Sequence, residues 1–205
     1  MTAQPSIVVF DIGNVLIEWS PRLLYAKLFG DRPDTVDWFL ANVCTAAWNL
    51  EADRGRDWRH AVTSLRRLYP EWRAEIEAFD LRWHEMVPGE IEASVALLSR
   101  LKRAGVELYA ITNFSAEKFA ECVQRFPFLG NFDGIVVSAA ETLVKPDAAI
   151  YQVLFDRYNL APRSCVFIDD SPPNVAAARS LGMTAIAFTG PQALATELRS
   201  LGFDV

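Results

Sequence analysis

Cysteine is scarce in this 205-residue chain, with only Cys44, Cys122 and Cys165 present. An odd number at those spacings excludes a disulfide framework and a Cys-based zinc site, so the three read as reduced core residues. Basic residues are in deficit, 20 Lys and Arg against 26 Asp and Glu, for a net charge of -6. That balance argues against a general nucleic-acid or anionic-membrane surface, either of which needs clustered Lys and Arg. Long hydrophobic runs are missing too. The opening MTAQPSIVVFD has no basic leader region, and its apolar run is too short for a signal peptide or a membrane span, so a cytoplasmic location is expected. There is no low-complexity segment. What is present is apolar material, 51% of the chain. This suffices for a real core, in one domain with a sizeable insertion or in two small ones.

Ser6 to Phe10 is a short β-branched run that ends abruptly in Asp11 and a flexible joint, Ile12-Gly13-Asn14. Such a run reads as a buried parallel strand with Asp11 at its carboxyl end, the edge where open α/β sheets bind ligands. From residue 90 onward, helix and strand patterns alternate. Ile91, Val95, Leu98 and Leu101 share a helical face, Gly105 follows as a C-cap, and Val106 to Ile111 is strand-like. Further strands are expected at Gly134 to Ser138, Cys165 to Ile168 and 183–188, with helices at about 115–125, 147–158 and 173–181. A last unit runs from TELRSLG into FDV. This alternation predicts a doubly wound, Rossmann-like parallel sheet covered by helices on both faces. Residues 18–88 differ: they hold both histidines, all six tryptophans and no strand run. Helices at 34–47 and 56–69 are expected there, punctuated by Pro70 and Pro88. The division is therefore an α/β core of residues 1–16 and 90–205 and a helical cap of residues 17–89.

The strand ends carry a recognisable set. Asp11, Thr112, Lys145 and the pair Asp169-Asp170 arrive in that order, each at the end of an αβ unit. Three converging carboxylates repel one another by about 4 kcal/mol per close pair at an intermediate dielectric. A hard cation with oxygen ligands offsets this, and Mg²⁺ with a substrate phosphate is the ordinary solution. Lys145 adds a permanent positive charge, and Thr112 offers a hydroxyl and neighbouring backbone N–H groups to a phosphate oxygen. Taken singly, each residue also fits a cap or turn role. Their order and placement together favour phosphoryl transfer.

VVFDIGNVLI (8–17), AITNFS (110–115), VKPDAAIY (144–151) and VFIDDSPPNV (166–175) resemble motifs one to four of the haloacid dehalogenase superfamily of hydrolases. The resemblance implies that Asp11 is a nucleophile forming an aspartyl-phosphate. It implies that Thr112 positions the phosphoryl oxygens and that Lys145 steadies the developing charge. By the same resemblance Asp11, Asp170 and the Gly13 carbonyl hold Mg²⁺, with Asp169 acting through water or from behind. Asn14 and Asn113 in these motifs, and Arg54 or Glu51 in a cap loop, are candidate substrate contacts. The first motif is similar to an FD-x-GNV subgroup that includes sugar-phosphate phosphatases. The implied partner is a small phosphorylated metabolite; no signal for oligomeric state is present.

One position departs from the phosphatase pattern: Gly13 stands where most relatives carry a second Asp as general acid and base. Loss of such a group costs about 10² to 10⁴ in rate. Glu18 is the first candidate to replace it, with His84, Glu51 and Asp53 behind. The L-2-haloacid dehalogenase branch, which needs no metal, also lacks the second Asp. Its usual Asp-x-Tyr-Gly-Thr is absent here, and the Asp169-Asp170 pair suits a cation. A catalytically silent binding protein is the remaining alternative within the superfamily. A phosphoacceptor receiver domain has its acidic pair first and its acceptor Asp in mid-chain, the reverse of this order. The tryptophans are expected to form mostly the core of the cap.

Overall fold

The computed structural model describes residues 5–205, so the first four residues of the stretch read for a leader lie outside the described residues. The apolar runs become five strands: β1 (Ile7–Phe10), β2 (Glu107–Thr112), β3 (Gly134–Val137), β4 (Cys165–Asp169) and β5 (Thr184–Ala187). All neighbouring pairs are parallel, in the spatial order β3-β2-β1-β4-β5. The chain builds outward from β1 through β2 and β3, then crosses back to lay β4 and β5 on the other side. The order therefore reverses between β1 and β4, where a crevice opens at the carboxyl ends of the strands. Register fixes what emerges there. Phe10 aligns with Ala110 and with Ile168, which brings Asp11, Thr112 and Asp169 to one rim.

Alternation along each strand divides the core into two layers. Val8, Phe10, Leu108, Ala110, Val166 and Ile168 face α6 (Glu92–Arg103) and α11 (Pro191–Ser200). Val9, Tyr109, Ile111 and Phe167 face α9 (Ala148–Tyr158) and α10 (Pro172–Ser180). The first of these layers continues without a break into the helical segment between β1 and α6. That segment holds α1 (Pro21–Phe29), α2 (Pro33–Asn42), α3 (Ala46–Asp53), α4 (Trp58–Leu68) and α5 (Arg73–Leu81). Its entry and exit run side by side: Glu18 N–H donates to the Gly89 carbonyl (3.0 Å) and Ile91 N–H to that of Leu16 (2.8 Å).

Three expectations change. The helix expected over 34–47 divides at Val43, because the Thr45 hydroxyl accepts from Trp48 N–H and starts α3 as a new helix. Ser138 opens a short helix, α8 (Ser138–Glu141), instead of ending β3. The terminal FDV forms no strand. Phe203 N–H returns to the Leu198 carbonyl and Arg199 holds the Val205 carbonyl, which folds the end back on α11. All three cysteines are buried and free, with thiols pushed up to about 12 by burial.

Phe79 sits at the centre of the insert's aromatic packing, with Trp48 and Trp58 ring centroids 5.1 and 5.8 Å away. Trp38, by contrast, is about half exposed. Phe79→Ala is expected to cost about 3–5 kcal/mol in urea unfolding. Leu81→Ala, two positions on and solvent-facing, should stay within about 0.5 kcal/mol.

Candidate active site

Asp11 leaves β1 buried, with both of its protein contacts on Oδ1: the Ile12 N–H at 2.7 Å and Lys145 Nζ at 2.9 Å. The described residues leave Oδ2 uncommitted. Lys145 reaches the rim from the loop between α8 and α9, and its backbone is clamped on both sides by Asn113. Lys145 N–H donates to Asn113 Oδ1 (2.8 Å) and Asn113 Nδ2 donates to the Lys145 carbonyl (3.1 Å). The Asn113 amide, a candidate substrate contact, is thus spent on positioning the lysine. Lys145 Nζ also lies 2.7 Å from Asp169 Oδ2. Asp169 is fully buried, and it further accepts from Ser171 N–H (2.8 Å) and from Asn174 Nδ2 (3.0 Å) on the first turns of α10.

Burial pushes the Asp11 carboxyl up to about 7; the Lys145 ammonium opposes this and the Asp169 charge adds to it. Burial alone would lower the Lys145 ammonium, yet Asp11 and Asp169 hold it above its ordinary value. Asp170 is also raised, by burial and by Asp169. Carboxylate oxygens of Asp11, Asp169 and Asp170 lie within 4.8 Å of one another. One lysine among three acids leaves the site short of positive charge. The donors are all oxygen, so the set fits a hard divalent cation.

Above this rim is a cavity of about 550 Å³. Asp11, Gly13, Asn14, Thr112, Lys145 and Asp170 all line it. Asn14 adopts a left-handed conformation (φ 55°), accepts from Trp19 N–H (3.0 Å) and donates to Asp170. The N–H groups expected to serve phosphate beside Thr112 are partly spent: Phe114 N–H goes to Ser138 Oγ (2.9 Å) and Ser115 N–H to the Asp53 carboxylate. Glu18 is exposed and not among the lining residues, because the outgoing chain pairs with Gly89 at that point. Arg54, Glu51 and His84 are likewise exposed and outside the lining. Arg54 is the C-cap of α3, past the helix's last turn, whereas Asp53 turns into the cavity.

Two lining residues carry weight that motif reading missed. Asn174 holds Asp169 from five positions downstream, a spacing that marks the first turns of a helix after a strand. Lys118 is buried beside the rings of Trp58 and Trp83 (5.5 and 5.8 Å to the centroids) and is paired with Asp80 and Glu121 at 2.8 Å each. Its only sequence signal is a cation on an otherwise core-facing helix stripe.

Residues 5–182 match the family model described as a haloacid dehalogenase-like hydrolase. Over 106 residues, 52% of the chain, it is 35% identical to a sesquiterpene phosphatase of Aspergillus oryzae and spans 54% of that protein, about half its length. It spans smaller shares of some other curated relatives. A phosphoglycolate phosphatase of Pseudomonas aeruginosa is 26% identical over 92% of the chain and 71% of its own length. The fold superposes with TM-score 0.76 on a magnesium complex of a HAD family enzyme from Bacteroides thetaiotaomicron, at 18% identity over 96% of this chain and all of the other. With its rim of acids and lysine at the switch of a parallel sheet and a family match across most of its length, the chain belongs to the haloacid dehalogenase-like hydrolases.

Proposed function

We propose that this hydrolase cleaves a small phosphomonoester through an aspartyl-phosphate on Asp11, with Mg²⁺ held by Asp11, Asp170 and the Gly13 carbonyl. The observation that carries this is the convergence of Asp11, Lys145 and the Asp169-Asp170 pair at one rim, with more negative charge than the protein neutralises. The phosphatases among its relatives support the same reading. When bound, Mg²⁺ supplies charge neutralisation and polarises a phosphoryl oxygen. The chain's own residues do the rest. Lys145 and Ile12 N–H hold Oδ1 of Asp11, so Oδ2 is the atom free to attack phosphorus. Thr112 offers its hydroxyl to a phosphoryl oxygen. Lys145, kept charged by its two carboxylates, faces the charge that develops in the transition state. Asn113 and Asn174 act on that geometry indirectly, the first through the Lys145 backbone and the second through Asp169.

Residues 17–89 are proposed to act as a cap over this rim, hinged where Ile17 bridges to Gly13 and Glu90. The cap would shield the reaction from bulk water. The organic part of the substrate would lie against Trp19, Trp58, Trp83 and Phe114. Sugar hydroxyls would find few open partners there, since Asn49 is engaged with Asp53 and Lys118 with Asp80 and Glu121. An apolar or planar alcohol therefore suits this wall better than the sugar phosphate implied by the FD-x-GNV likeness. Among the described residues no helix is long and apolar enough to cross a membrane, and the three buried free thiols fit a cytoplasmic setting.

A panel of alkyl, aryl and sugar phosphates and short 2-haloacids, assayed with and without Mg²⁺, tests the reading. Mg²⁺-dependent phosphate release is expected, fastest from the apolar esters; metal-independent halide release would overturn it. Asp11→Asn should abolish phosphate release. Mg²⁺ at a hundredfold over its Kd should stabilise the wild-type fold by about 2.7 kcal/mol, and Asp170→Asn should lose most of that gain. Asp11 also sets a pH signature. Its folded value near 7 against 3.8 when solvated means that the fold disfavours the charged form, so stability is lost as pH rises from about 4 to 7. The melting temperature of metal-free Asp11→Asn should accordingly gain on wild type across that interval.

A further inference from the structure

We propose that Asp53, delivered into the cavity by the last turn of α3, is the catalytic acid and base that Gly13 does not supply. The inference rests on the phosphatase reading above. Position 13 has no side chain, and a Cβ built there would meet no atom within 4 Å, so the space an acid would occupy is open. Glu18 lies outside the cavity lining. Asp53 is only 9% exposed, lines the same cavity as Asp11, and accepts from Ser115 N–H and from Asn49 Nδ2 (3.1 Å).

Its placement is fixed from the core side. Ser138 Oγ donates to the Asp53 carbonyl at 2.5 Å, and Gly55 packs so closely on α8 that a Cβ there would stand 2.8 Å from the Ala139 carbonyl oxygen. The two lysines that line the cavity with it are engaged elsewhere. Lys118 of α7 (Ala116–Arg125) pairs with Asp80 and Glu121, Lys145 with Asp11 and Asp169, and Glu117 accepts from Trp58 N–H (3.2 Å). Among the described residues no ion pair is made by Asp53. Burial, partly offset by the Ser115 N–H, pushes it up to about 7, where both protonation states are populated at neutral pH.

The step balances as follows. Oδ2 of Asp11 forms a bond to phosphorus as the bond from phosphorus to the ester oxygen breaks. That oxygen keeps the electron pair and takes the proton of Asp53, leaving as a neutral alcohol. The Asp53 carboxylate then takes a proton from water as the water oxygen bonds to phosphorus and the bond from phosphorus to Oδ2 breaks, its electron pair returning to the Asp11 carboxylate. Phosphate departs, and both aspartates return to their starting states.

A proton donor matters for a poor leaving group and little for a good one, which separates this role from a structural one. In Asp53→Asn, which keeps an oxygen for Ser115 N–H, kcat/KM for an alkyl phosphate should fall by about 10² to 10⁴ and that for 4-nitrophenyl phosphate by roughly tenfold or less. Adding Gly13→Asp to that variant should restore much of the alkyl rate. Equal losses on both esters, or an alkyl rate close to wild type, would overturn the assignment. Should Asp53→Asn not fold, the wild-type pH profile decides. kcat/KM for the alkyl ester must fall with rising pH near Asp53's value of about 7 while the nitrophenyl ester holds up, and parallel profiles refute the role. Wild-type enzyme that turns over neither ester refutes the phosphatase reading itself, and this inference with it.

Discussion

A single buried ammonium organises the centre of this protein. Lys145 lies between Asp11 and Asp169, within 2.9 and 2.7 Å of their oxygens, and none of the three groups is freely solvated. Removing one partner from a buried pair leaves an uncompensated charge and typically costs about 3–5 kcal/mol. The triad therefore ties the ends of β1 and β4 to the loop carrying Lys145 more tightly than three separate surface contacts would. Its geometry in turn leans on uncharged neighbours. Asn113 fixes the lysine's backbone, while Asn174 and Ser171 N–H fix Asp169. Polar side chains with no role of their own in bond making thus decide where the charges stand.

The same triad explains why the fold tolerates a strained charge balance. Two carboxylates share Lys145 and a third, Asp170, stands at the edge of the cavity beside the Asn14 amide. Neutralising Asp11 or Asp170 would relieve repulsion from Asp169, so stability alone explains those two charges poorly; Asp169 differs, because the buried Lys145 depends on it. A group whose folded value rises toward neutrality is a cost to folding at physiological pH. Such costs concentrate at sites that bind a compensating charge.

Much of this was legible in the sequence where the signal is local. A short apolar run ending in an acid places Asp11, and the same logic places Thr112 and Asp169, because strand periodicity and parallel register put those positions at one edge. Lys145 follows from its order among the motifs. Legibility fails where placement depends on contacts between distant elements. Glu18 is close to Asp11 in the chain, yet the returning segment at Gly89 pairs beside it and its side chain stays exposed. The cap loop expected around Glu51 and Arg54 is instead the end of α3, where Glu51, Asp53 and the C-cap Arg54 follow one another, and the phase of α3 against α8 selects which of the three faces inward. That phase is set by Ser138 and the close approach at Gly55, more than eighty residues apart. Likewise, the N–H groups after Thr112 look free until Ser138 and Asp53 are seen to take them.

Placing an acid on the insert instead of two residues beyond the nucleophile has a mechanical consequence. In the Asp-x-Asp arrangement both groups ride on one strand end, and the proton donor is in place whether or not the cavity is closed. Here Asp53 reaches the cavity only while α3 packs on α8 and its carboxylate meets Ser115 at the start of α7. With the insert acting as the proposed cap, nucleophile and donor stand on opposite sides of the crossing at Ile17 and Glu90. In that proposal, protonation of the leaving group depends on docking of the cap, so an open form would keep its attacking carboxylate and lack its donor. Water entering an open cavity would meet the phosphoaspartate without a base to activate it. Moving the acid off the strand would then add a closure requirement, and chemistry would proceed only in a site already sealed around its substrate.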